Sequence, residues 1–100
     1  MPGRRPSVGR VPSFLVETYL PRGELHERAT RERGARAAAE ELAEGGSDVR
    51  FDRSIHVPED ELCFFVFDAP TSRLAAMAAE RAGLEPVRIV AAVTSTTRED

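Results

Sequence analysis

The stretch Ser47–Asp68, SDVRFDRSIHVPEDELCFFVFD, predicts a β-hairpin and decides the fold. Its middle, Pro58-Glu59-Asp60, has proline at a position that type I turns favour. The residues on either side are rich in β-branched and aromatic types, which are typical of strands. We therefore expect antiparallel strands over Ser47–Val57 and Glu61–Asp68, joined by a tight turn.

The segments on either side of this hairpin each predict one further strand and one helix. Val11–Leu20 and Pro86–Val93 have strand composition, whereas Glu24–Glu44 and Thr71–Ala82 are rich in good helix formers and are followed by glycine. The order β-α-β-β-α-β predicts an α+β fold of the split, ferredoxin-like type. Its four-stranded antiparallel sheet would carry both helices on one face.

The chain of 100 residues has the length of one domain, which we assign to residues 11–93. Residues 1–10 predict a disordered basic arm, and residues 94–100 a polar tail. Arg4-Arg5 is not followed by the apolar stretch of an export signal. The longest apolar run, Leu62–Phe67, is far shorter than the ~20 residues of a membrane helix. A cytoplasmic location without membrane contact is expected.

The composition disfavours several classes of function. The net charge of −3 argues against a nucleic-acid partner. The single cysteine, Cys63, excludes an internal disulfide and a CxxC motif. Every basic residue is arginine, which excludes catalysis by a lysine side chain. The sequence has no glycine-rich phosphate-binding motif, so we expect no nucleotide cofactor. The abundance of alanine and arginine suggests a bacterium with a GC-rich genome.

The strand Glu61–Asp68 is apolar on both of its faces. Leu62, Phe64 and Val66 would point one way, and the other face would carry Cys63, Phe65 and Phe67. A sheet with helices on one side and water on the other should instead alternate apolar and polar residues. We therefore expect a second copy to cover the open face, which gives a homodimer of the α/β-barrel kind.

Pairing across the hairpin predicts which residues share the open face. We expect Val57 with Leu62 and Ile55 with Phe64 under the helices, which would leave Arg53 on the core face unless it reaches the sheet edge or the register shifts by one residue. The pairs expected on the open face are His56 with Cys63, Ser54 with Phe65, and Asp52 with Phe67. The first strand would add polar groups, and the predicted ligand pocket is lined by Glu17, Tyr19, Ser54, Phe65 and Phe67.

Four of the chain's potential metal ligands are candidates for a shared site: His56, Cys63, Glu17 and His26. Imidazole and thiolate together suit zinc, copper or nickel, and a carboxylate could be a third ligand. The alternative is a buried, inert thiol beside a structural histidine. The pair His26-Glu27 does not continue into a zincin motif, because position 30 is Thr30.

Several segments together resemble a known family over residues 12–93. They are Phe14-Leu15-Val16-Glu17, Tyr19-Leu20-Pro21, Val57-Pro58-Glu59-Asp60-Glu61, Cys63-Phe64, Phe67-Asp68-Ala69-Pro70, Glu80-Arg81-Ala82-Gly83-Leu84 and Arg88-Ile89-Val90. The chain is similar to a largely uncharacterised family of small bacterial ferredoxin-like proteins that are often labelled nickel-binding. The resemblance implies a dimeric ferredoxin-like fold and binding of nickel or another transition metal.

Three functions are consistent with these features, and catalysis is the less favoured interpretation. The first is a homodimeric binding protein for a transition metal or a small ligand at the open sheet face. The second is a cofactor-independent dimeric α/β-barrel enzyme of the monooxygenase or isomerase type, in which Glu17, Tyr19 or His56 handles protons on an apolar substrate. The third is a structural or partner-binding dimer.

Overall fold

A computed structural model describes residues 11–93 of the chain. Over this range the chain forms four strands and two α-helices in the predicted order β-α-β-β-α-β. Their bounds are β1 Ser13–Tyr19, α1 Glu27–Glu44, β2 Arg50–Val57, β3 Leu62–Asp68, α2 Ser72–Arg81 and β4 Pro86–Ala92. The predicted basic arm and polar tail lie outside the described residues. None of the helices within residues 11–93 is long and apolar enough to cross a membrane.

The four strands form one antiparallel sheet in the order β2-β3-β1-β4. Strands β3 and β1 are central, and β2 and β4 are the edges. Both helices pack on the sheet and on each other, and their buried residues belong to one core cluster with those of the sheet. This arrangement confirms the predicted α+β class and is the one that a ferredoxin-like fold requires.

The core is built from small residues on the helices and large residues on the sheet. Alanines of both helices are fully or almost fully buried: Ala35, Ala38, Ala39, Ala75, Ala78 and Ala79. The buried aromatic residues of the sheet are Phe14, Phe65 and Phe67, and the last two have no exposed surface. Bulky rings opposite methyl groups let the two layers interdigitate at close-packed density.

The two helices begin and end differently. We expected the first helix to begin at Glu24, but Arg22–Glu24 form a short 3-10 turn, and α1 begins only at Glu27. Pro21 lies in extended backbone before this turn, and its carbonyl accepts from the Glu24 N–H at 2.9 Å. Helix α2 begins as predicted, because the Thr71 hydroxyl accepts from the Leu74 N–H at 3.2 Å.

The faces of β2 and β3 are the reverse of those expected. Cys63, Phe65 and Phe67 are buried under the helices, so their neighbours Phe64 and Val66 lie on the open face. The register with β1 explains the reversal. Phe14, Val16 and Thr18, which are also buried, lie directly opposite these three residues. Because paired residues share a face, the core side of β1 determines the core side of β3.

Arg53 avoids the core because the faces of the hairpin are reversed, and a bulge in β2 follows at Asp52. The predicted pairs at Val57, Ile55, His56 and Ser54 are confirmed, but the register then shifts between Phe51 and Arg53. Phe51, and not Asp52, therefore pairs with Phe67. Arg53 lies on the open face at the sheet edge, where its side chain is 64% exposed. The extra residue Asp52 is what a β-bulge requires.

Candidate functional site

The sheet face that the helices do not cover, called here the open face, is mostly apolar. It receives side chains from all four strands, because the register and the alternation of β-strands place every second residue there. Its apolar members are Leu15, Ile55, Val57, Leu62, Phe64, Val66 and Val90. Each strand of the sheet thus contributes apolar side chains to this face, which range in exposure from Val66 at 4% to Ile55 at 43%.

The middle row of this face changes from apolar to charged across the sheet. Ile55 on β2 pairs with Phe64 on β3, Phe64 with Glu17 on β1, and Glu17 with Arg88 on β4. The Arg88 Nε donates to Glu17 Oε1 at 2.8 Å. The Glu17 side chain is only 15% exposed, whereas that of Arg88 is 67% exposed. One row therefore carries two apolar side chains and one ion pair.

Of the predicted pocket residues, Glu17 and Tyr19 lie on the open face as expected. The Tyr19 ring is 54% exposed, and its hydroxyl donates to Glu61 Oε1 at 3.3 Å. The nearby negative charge of Glu61 raises the pKa of Tyr19. Glu61 in turn accepts from the Arg22 N–H at 2.9 Å, the main reason why its own pKa is lowered. Tyr19 thus belongs to a polar group at the end of the face.

The expectation that Ser54, Phe65 and Phe67 line the same pocket is wrong. All three lie on the helix face. Phe65 and Phe67 belong to the buried side of β3, and Ser54 of β2 pairs with Phe65. The Ser54 hydroxyl donates to Glu32 Oε2 of α1 at 3.1 Å, and both phenylalanines are fully buried. The alternating geometry of the strands therefore divides the predicted pocket between the two faces of the sheet.

His56 and Cys63 lie opposite each other as predicted, but on the helix face. The Cys63 side chain is fully buried, and this burial raises the pKa of its thiol. Arg31 and Arg28 of α1 counteract that shift in part. Among residues 11–93, His56 Nε2 is a buried nitrogen without a hydrogen-bond partner. This pair is a weakly polar spot within the contact between α1 and the sheet.

The four candidate metal ligands are not brought together. Glu17 is on the open face, and His56 and Cys63 are on the opposite face of the sheet. His26 lies just before α1 with an exposed side chain, where its Nε2 is 3.8 Å from Glu27 Oε2. No group of three or more histidine, cysteine, aspartate or glutamate side chains within the described part of the chain is placed to hold a metal ion.

The three residues predicted to handle protons are also apart. His56 is separated from the open face by the sheet, and the Tyr19 hydroxyl is engaged with Glu61. Glu17 remains on the open face, where it accepts a hydrogen bond from Arg88. Arg88 was not among the predicted site residues. Its signal was available, since strand alternation places Arg88 and Val90 on the same side of β4.

A cleft of about 500 Å³ lies at the end of the sheet beside Tyr19. It is formed where β1 leads into α1 and where α2 leads into β4. Its lining includes Glu24, Glu27 and Glu85 with the single basic residue Arg31. Arg31 donates to the Tyr19 carbonyl at 3.0 Å, which ties the helix to the end of the strand.

Comparison of the chain with family models, with curated proteins and with solved structures gives no match.

Proposed function

We propose that the protein is a homodimeric binding protein that holds a small, mostly apolar molecule between the open faces of two copies. The observation that carries this proposal is the open face itself. It is a surface of seven apolar side chains from all four strands, with no helix of residues 11–93 packed on it. Contiguous apolar surfaces of this kind mark interaction sites in soluble proteins.

A second copy of the chain is the cover that this surface fits best. Strand β3 is central and apolar on both faces, and covering the half-buried Leu62 and Phe64 on its open side would remove further apolar surface from water. A two-fold axis through the face would pair each apolar side chain with others of the same surface. Two four-stranded sheets that close into one barrel supply eight strands, and a barrel of about eight strands can hold one small ligand.

The ion pair in the middle row favours a chamber over a dry contact. Glu17 and Arg88 carry charges into a surface that is otherwise apolar, with their closest atoms 2.8 Å apart. Burying such a pair between two closely packed sheets costs desolvation that hydrophobic residues would avoid. A polar group among apolar walls is the usual composition of a site for a small organic ligand.

Binding of the uncharged fluorescent probe N-phenyl-1-naphthylamine tests this proposal. We expect saturable fluorescence enhancement with the wild-type protein at micromolar concentration. The variant Phe64→Glu, which places a charge in the middle row, should abolish it. Met77→Glu is the matched control, because Met77 is an exposed apolar residue of α2. No saturable enhancement with the wild type, or equal loss in both variants, would contradict the proposal.

A transition metal at His56 and Cys63 is the second candidate function. It is favoured by the buried, unpartnered Nε2 of His56, which lies across the strand pair from a thiol. These two side chains fit nickel, zinc or copper chemically, but they are only two donors. They also face α1, so a second copy on the open face could not complete the set. The residues therefore fit a metal only in part.

Isothermal titration with nickel, zinc and copper tests the metal site. The wild-type protein should release heat at micromolar metal, and His56→Ala should remove that heat. Equal heat from both proteins, or none from either, would eliminate His56 as a ligand. Met77→Glu serves again as the control for a change outside the site.

A further inference from the structure

We infer that the ligand of the open face is an amphipathic organic anion, whose carboxylate binds Arg88 and whose apolar body lies along the middle row. This inference rests on the proposed function and specifies its ligand class. It follows from how Arg88 is held and from what lies beside it.

Arg88 has an exposed guanidinium that one contact keeps in place. Its Nε donates to Glu17 Oε1 at 2.8 Å, and its side chain is 67% exposed. Within residues 11–93 its two terminal nitrogens have no hydrogen-bond partner, so no group of this part of the chain occupies their N–H donors. Guanidinium N–H groups of this kind form strong, directional hydrogen bonds with carboxylates.

The rest of the middle row fits an apolar chain attached to that carboxylate. From Arg88 the row continues over Glu17 to Phe64 and Ile55, a distance of three strand spacings, or about 14 Å. Glu17 is held back by its ion pair and is 15% exposed. The flanking positions Leu15, Val90 and Val66 are apolar as well. A linear or flat molecule on this row would thus contact mostly apolar side chains beyond the ion pair.

Charge selects an anion over a cation at this row. Glu17 is already paired with Arg88, while Arg53 lies in the neighbouring row and is paired with Asp52. An incoming anion can share the Arg88 guanidinium with Glu17, whereas a cation would find the Glu17 carboxylate already occupied. The expected ligand class is therefore a carboxylate with a hydrocarbon or aromatic body.

Displacement of bound N-phenyl-1-naphthylamine by octanoate and by octan-1-ol at neutral pH tests the inference. The two competitors share the same chain and differ in the anionic group. We expect octanoate to bind the wild-type protein about tenfold more tightly than octan-1-ol, the range of one charge-assisted hydrogen bond. Arg88→Gln should bring this ratio to about one. Arg88→Lys should keep a ratio above one.

Arg53→Gln is the matched control, since it removes an exposed arginine of the same face without touching Glu17. It should retain the tenfold ratio. Equal displacement by both competitors in the wild type, or a preference that survives in Arg88→Gln, would overturn the inference while leaving the binding site intact. Failure of the probe itself to bind would instead overturn the proposed function.

Discussion

Phe64 and Phe65 are consecutive residues of β3 whose side chains lie on opposite faces of the sheet. Phe65 is fully buried beneath the helices, opposite Val16, whereas Phe64 lies beside Glu17 on the open face. The two rings are chemically identical, so their difference in environment is a direct measure of which face forms the core of one chain.

Alanine substitutions at these two positions should have unequal effects on stability. Phe65→Ala leaves a cavity in the core and should lower the free energy of unfolding by about 3–5 kcal/mol. Phe64→Ala should cost about 1 kcal/mol, measured at a dilution where the chain is monomeric. Urea unfolding followed by circular dichroism measures both. A larger loss for Phe64→Ala would reverse the assignment of the faces.

Cys63 should react slowly with alkylating agents in the folded protein. Its thiol is fully buried, and burial raises its pKa, so little thiolate is exposed at neutral pH. Mass spectrometry after incubation with iodoacetamide should show an unmodified native chain and complete labelling in urea. Rapid stoichiometric labelling of the native protein would show that Cys63 is accessible.

Alkaline conditions should destabilise the protein through Cys63. The pKa of this thiol is raised in the folded state above its ordinary value of 9.0. The unfolded chain therefore loses its thiol proton first as the pH rises, and stability that is fully present below pH 9.0 is lost above it. The free energy of unfolding should fall between neutral pH and pH of about 10.

Tyr19 would also contribute to a loss of stability at alkaline pH, because the charge of Glu61 raises the pKa of its hydroxyl. Its contribution must therefore be removed before that of Cys63 is measured. The background is therefore Tyr19→Phe, and the double variant Tyr19→Phe, Cys63→Ala should lose less stability over the same pH range. Parallel pH profiles of the two proteins would show that the thiol contributes nothing to the alkaline loss.

Gly83 should be sensitive to substitution where Gly23 is not. Gly83 has φ +78°, and its N–H and that of Leu84 donate to the Glu80 and Ala79 carbonyls, which closes α2 with a Schellman motif. Gly83→Ala should therefore lower the free energy of unfolding by about 1 kcal/mol. Gly23→Ala, in open space, should change it by less than about 0.5 kcal/mol. Thermal or urea unfolding distinguishes them, and equal effects would refute the strain at Gly83.

The order of elements was predictable from the sequence because it depends on local signals. Thr71 caps α2, Gly83 ends it, and the Pro58–Asp60 turn positions the hairpin, all as expected. The register from Val57 to Ser54 also followed from the turn. Each of these features involves residues that are close together in the chain.

The choice of faces was not predictable from β3 alone, because both of its faces are apolar. It depends on the pairing of β3 with β1 and on alanine-rich helices, which leave room for large rings. Arg53 was the available signal, since an arginine expected in the core indicates that the other face is buried. The candidate site was consequently predicted only at Glu17 and Tyr19, while Phe64 and Arg88 emerged from the three-dimensional register.

The mass of the protein in solution tests the proposed pairing of open faces most directly. Light scattering at micromolar concentration should give twice the 11.0 kDa of one chain for the wild type and for Met77→Glu. Phe64→Glu should give the mass of a single folded chain, with its circular dichroism preserved. A wild-type protein of single-chain mass, or a Phe64→Glu variant that remains a dimer, would contradict the pairing.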